Sequence, residues 1–219
     1  MDEITKLLYW ISTGLLIPVI VLLLVLFVRA LLLIGTFYAT YIQKLKFNKE
    51  IRLSLDQLDQ ENVRETLTKT MDTGKKLLLP IFLKRLLQSS SGNIHYNKLL
   101  NDFEITCQKD IAGSQTLAKL GPVLGLMGTL IPMGPALVGL AAGDIESMAA
   151  NMQVAFATTV IGLLIGAVGF VIMQVKRRWY ASDINDLDFV VELLKQSRKN
   201  KYRPGFNKIR QKNVKESVQ

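Results

Sequence analysis

The sequence predicts an all-α membrane protein: three transmembrane helices, extended at their inner ends as long helices in the cytoplasm. Three charge-free stretches predict it, Leu7–Val28, Leu120–Ala142 and Met152–Val175, set in a chain crowded with charge elsewhere. Each is close to the roughly 20 residues that cross a hydrocarbon core of about 30 Å. Average composition would not have decided this. The 219 residues are 49% hydrophobic with a mean hydropathy of +0.26, which a soluble domain can also reach. The net charge of +9 points to nucleic acid in a soluble protein. In a membrane protein, basic cytoplasmic segments account for it, and no nucleic-acid partner is expected.

The first stretch resembles a signal peptide only superficially. It exceeds an h-region in length, begins after Asp2 and Glu3, and has no small-residue cleavage site before Arg29. It is read as a retained span. Beyond Arg29, Ala30–Ile42 stays mostly apolar with no turn signal. One long helix that leaves the membrane near Arg29 fits better than two spans, and Pro18 is placed to kink it. Residues 1–43 therefore form the first helix and its cytoplasmic extension.

Residues 44–119 hold 13 basic and 9 acidic side chains and form a cytoplasmic helical segment. Ser54 is a candidate cap for a helix through Thr73, with Gly74 as its stop. Lys75–Leu87 is basic and amphipathic around Pro80, suited to lipid headgroups or to packing on neighbouring helices. Ser89–Asn93 reads as a loop, and Tyr96–Lys119 as a helix leading into the second span. Residues 120–175 form a transmembrane hairpin. Its loop, about Gly143–Ala150, contains Asp144 and Glu146 and no basic residue. Residues 176–219 carry 12 basic and 5 acidic residues. The third span continues through a helical stripe at Ile184, Leu187, Val190, Val191 and Leu194, followed by a weakly ordered basic tail from Arg198. That tail is either a solvated end or a site for anionic lipid. The distribution of Lys and Arg gives one topology: N-terminus outside, hairpin loop outside, C-terminus in the cytoplasm.

The spans differ in kind. The first is built of Leu, Ile and Val, as a lipid-facing helix is. The other two are rich in Gly, Ala and Thr. Gly121, Gly125 and Thr129 recur at i, i+4, i+8, with Gly128 beside them. Thr159, Gly162, Gly166 and Gly169 recur at i, i+3, i+7, i+10. Such stripes allow helix backbones to approach closely where lipid provides no hydrophobic drive. Thr129, Thr158 and Thr159 either bond to their own helix carbonyls or line a shared polar seam. Pro132 and Pro135 are expected to bend the outer half of the second span.

No ionisable residue lies inside the second or third apolar stretch, and His95 has no ligand set around it. An ion or proton pathway needs such a group, so another chain would have to supply it. No catalytic constellation, metal-ligand cluster or phosphate loop is present, so neither an enzyme nor a metal or cofactor is expected. Cys107 has no second cysteine in the chain to pair with and reads as a small semi-apolar residue on a helix.

Two strings are familiar. LGPVLGLMGT at 120–129 and AFATTVIGL at 155–163 resemble the MotA/TolQ/ExbB proton-channel family. The family's strings are P-x-x-G-L-x-G-T in its second span and A-L-x-x-T-x-x-G-L in its third, with Phe156 here in place of the leucine. The layout of one span, a long cytoplasmic segment and a two-span hairpin is similar to ExbB and TolQ. The resemblance implies a homopentameric ring whose second and third spans surround a pore. It also implies two copies of a single-span ExbD/TolR/MotB-like partner that supply a membrane aspartate. By the same resemblance the protein is a channel and stator subunit of an ion-driven motor in the cytoplasmic membrane, with Thr129 and Thr159 on the ion path. This chain departs from the pattern at Val154, where ExbB and TolQ commonly carry glutamate, and at Ile131–Pro135. A non-conducting membrane scaffold, using the glycines for packing and the basic tail for docking, is the competing expectation.

Overall fold

The computed structural model describes residues 2–56, 77–88 and 93–201. Among them are five helices and no strand: α1 (Asp2–Gly14), α2 (Leu16–Asp56), α3 (Leu78–Gln88), α4 (Asn93–Ala141) and α5 (Ile145–Lys201). Three stretches are long and apolar enough to cross a membrane: Leu16–Phe47, Tyr96–Ala141 and Ile145–Lys195. The all-helical, three-span reading of the sequence holds.

Pro18 marks the boundary between α1 and α2. It has no N–H to offer the Gly14 carbonyl, whereas Leu15 still donates to Ile11 and Val19 to Leu15, each at 3.1 Å. Helical bonding therefore bridges a local gap at Leu15. Ser54 does not start a helix: α2 runs through it to Asp56. The rest of the expected helix to Thr73, its stop at Gly74, the loop over 89–92 and the tail beyond Lys201 lie outside the described residues.

The loop expected over 143–150 is much shorter. Only Ala142–Asp144 separate α4 from α5. Gly143 takes φ +74°, which a residue without Cβ adopts freely. Gly143 N–H donates to Leu140 and Asp144 N–H to Gly139, the paired bonds of a Schellman C-cap. The Asp144 carboxylate then accepts from Ser147 N–H at 2.9 Å and caps α5. Residues Ile145–Ala150, polar enough to read as loop, are the first turns of that helix.

The chain forms two compact units: residues 1–39 with 108–178, and residues 40–107 with 179–219. In the first, α2 presents Val19, Leu23, Leu26 and Ala30 at i, i+4, i+7, i+11. This stripe is buried with Leu117, Leu124 and Ile131 of α4 and Ile165 of α5. In the second, α3 buries Leu79, Phe82, Leu83 and Leu86 with Phe103 and Cys107 of α4, Phe47 of α2 and Leu187, Val190 and Val191 of α5. Phe82 and Phe103 meet edge to face at 5.0 Å between centroids. The apolar side of α3, the described part of the amphipathic segment, is thus packed on protein, with Lys84 and Arg85 outward.

Candidate functional site

Within the first unit, α4 and α5 meet along a seam with almost no side chain in it. A Cβ added to Gly121 would stand 2.7 Å from the Gly162 carbonyl oxygen and from Gly166 N. One on Gly162 would stand 2.6 Å from Gly125 Cα, and one on Gly166 2.6 Å from Pro122 Cγ. At the far end, a Cβ on Gly169 would meet Ala118 N at 2.5 Å and the Ser114 carbonyl at 2.8 Å. The six glycines read from the sequence, Gly121, Gly125, Gly128, Gly162, Gly166 and Gly169, all lie on this seam. Its register is antiparallel, and near its open end Lys176 pairs with Asp110 at 2.7 Å.

The three threonines are distributed unequally. Thr158 is buried, and a Cβ on Gly128 would fall 2.5 Å from its Oγ1, so it fills the notch opposite Gly128. Thr129 and Thr159 are half-buried. Each hydroxyl donates within its own helix: Thr129 to Leu126 O at 2.7 Å, Thr159 to Ala155 O at 3.0 Å, and Thr158 to Val154 O and Ala155 O at 3.0 and 2.9 Å. A hydroxyl that has donated its proton keeps only acceptor lone pairs. Thr129 and Thr159 therefore present oxygens able to coordinate a cation or accept a proton-bearing donor.

Helical periodicity fixes the side on which these oxygens stand. At about 100° per residue, Thr129 is roughly 150° around α4 from the Leu124–Ile131 stripe packed with α2, and Thr159 roughly 140° around α5 from Ile161 and Ile165. Both lie on the hairpin side that α2 leaves open, among exposed Leu126, Met133, Phe156 and Leu163. Pro132 and Pro135 belong to an α4 that remains one continuous helix through both, and through Pro122. Each proline leaves the carbonyl four residues earlier without its helical donor. Sequence reading missed Pro122 as a packing partner of Gly166, although the proline stands in the quoted string.

Residues 94–188 match the MotA/TolQ/ExbB proton channel family. This segment, just under half of the chain, is similar to that family. It holds all three threonines, all six seam glycines and both outer prolines. No curated protein matches the chain. This similarity and the three helices long and apolar enough to cross a membrane support a membrane protein. Among the described residues, no cluster of His, Cys, Asp or Glu is arranged to hold a metal ion.

A second polar feature escaped the sequence altogether. In the other unit, Lys44 of α2 and Asp183 of α5 form a buried ion pair, Nζ bonding to Oδ1 and, at 2.6 Å, to Oδ2. Lys44 Nζ also stands 5.9 Å from the centroid of the Phe47 ring. Nearby, Tyr41 and Trp179 bring their rings to 5.7 Å. No spacing signal links residues 139 apart.

Proposed function

We propose that the chain is the channel and stator subunit of an ion-driven motor in the cytoplasmic membrane. Five copies arrange the open sides of their hairpins around a pore. Two single-span ExbD/TolR/MotB-like partner helices occupy it and supply the aspartate that carries the ion. The N-terminus and hairpin turn face outward, and the C-terminus faces the cytoplasm.

The observation that carries this reading is the pair of acceptor oxygens, Thr129 and Thr159, on the uncovered side of a hairpin without its own acid. No ionisable side chain occurs from Leu120 to Ala141 or from Ser147 to Val175. Such a wall can solvate a cation and cannot relay one alone, so the titrating group enters with a partner. Thr158 contributes by holding the two helices at their close spacing. One charge crossing the membrane releases about 2.3 kcal/mol per 100 mV, enough to bias a rotation or tilt of one component against the other.

The test is ion uptake by vesicles containing the chain and its single-span partner. Thr159→Ala is expected to reduce flux at least tenfold while the purified complex keeps its size and fivefold symmetry. Unchanged flux, or another symmetry, would reject the reading. A scaffold role draws support from the internal hydrogen bonds of all three threonines. It predicts that Thr129→Ala and Thr159→Ala are silent and that no ion movement accompanies activity.

A further inference from the structure

The seam register gives Lys119 a position that its sequence neighbourhood conceals. In sequence it flanks the apolar stretch from Leu120 and reads as the basic end of a span. In the antiparallel hairpin, Ala118 packs directly on Gly169, so Lys119 stands level with Ala167 and Val168 of α5, one step further from Lys176. Both are apolar. α5 continues without charge to Val175 and turns basic only at Lys176-Arg177-Arg178. The step from Gly169 to Lys176 is seven residues, about 10 Å along the helix. Lys119 therefore falls inside the apolar length of its neighbour, where an ammonium persists by facing water or a counter-charge.

Its direction is defined as well. Lys119 lies roughly 160° around α4 from Leu117, the residue packed in the α2 cluster. It heads the exposed stripe of Leu126 and Met133 at i+7 and i+14, beside Thr129. The side chain is exposed, as is Thr116 one turn away, whose hydroxyl bonds to Ala112 O.

We infer that Lys119 stands in the aqueous mouth at the open end of the hairpin and sets a positive potential there that restrains cation entry. This deepens the channel reading and rests on it for the word entry. A fixed ammonium depletes cations locally and concentrates anions, more strongly in a narrow low-dielectric mouth than on an open surface. The channel would then conduct in proportion to how far its partner, or an anionic ligand, neutralises that charge.

The inference is tested without ion flux, by cysteine modification in the full chain in lipid vesicles. Wild type provides the baseline, because its one cysteine, Cys107, is buried. Thr116→Cys is treated at low salt with anionic and cationic methanethiosulfonates, with Lys119 present and in Lys119→Gln and Lys119→Arg backgrounds. The expected result is reaction with both reagents, the anionic one several-fold faster. That preference is lost in Lys119→Gln and kept in Lys119→Arg. Val25→Cys, exposed within the first apolar stretch beside Leu26 of the Leu117 cluster, is the membrane control and is expected to react only with a lipid-soluble maleimide. Three results each overturn the inference: Thr116→Cys inert to charged reagents, a rate ratio indifferent to Lys119→Gln, or Val25→Cys as reactive as Thr116→Cys. A silent Thr159→Ala would remove the channel reading and leave the modification result standing, so the two failures are distinguishable.

Discussion

The two units join α4 to α5 by opposite means. In one, α4 and α5 meet backbone to backbone through glycines, with Thr158 filling a notch. In the other, α2, α3, α4 and α5 meet through Phe47, Phe82, Phe103 and a ring of leucines and valines around a buried ion pair. The difference follows the solvent. In water, large apolar side chains leave a hostile medium on contact, so bulk stabilises. In lipid they leave nothing, and helices gain from closeness and from many small dispersion contacts. A side chain at a seam position would remove the contact that it is meant to improve.

Substitutions that impose one unit's chemistry on the other are the sharpest way to break this contrast. The largest effect is expected from Gly162→Leu, which puts a branched side chain where even a Cβ would be 2.6 Å from Gly125 Cα. Rigid backbone on the opposite helix cannot yield, so the loss is about 3 kcal/mol or more, visible as absence of folded protein after mild detergent extraction. Next comes Asp183→Leu, which strands a buried Lys44 and is expected to cost about 3–5 kcal/mol. Lys44→Met with Asp183→Leu should recover most of that, and thermal melts of the two variants compare them directly. A double variant no better than the single would show that the pair, rather than its charge balance, supports the unit. The smallest effect is expected from Gly113→Ala. Nothing lies within 4 Å of that Cβ position, so helix propensity alone should stabilise by up to about 1 kcal/mol. A loss there would mean that the glycine seam extends beyond the contacts seen within one chain.

Much of this was legible because the relevant signals are local or periodic. Hydrophobic length gave the three spans, and the i, i+4 recurrence of small residues gave both faces of the seam. What was not legible turned on direction or distance. Thr158 and Thr159 are neighbours about 100° apart on a helix, and composition does not say which one meets Gly128. Ile145–Ala150 has the polarity of a loop, and only the cap by Asp144 makes it helix. Ser54 has the chemistry of a cap but stands in a helix already under way, where propensity yields to the continuing hydrogen-bond ladder. Read on α4 alone, Lys119 only borders the apolar stretch from Leu120. It is the packing of Ala118 on Gly169 that moves it.

The Lys44–Asp183 pair also bears on how the protein is made. Its two halves are 139 residues apart, so at a synthesis rate of about 5–20 residues per second the lysine exists for on the order of ten seconds before its partner emerges. Throughout that interval Lys44 lacks the carboxylate with which it pairs in the finished fold. The last long helix to leave the ribosome is therefore the one that closes the second unit. A nascent chain halted before Asp183 would expose an unfinished core to quality control.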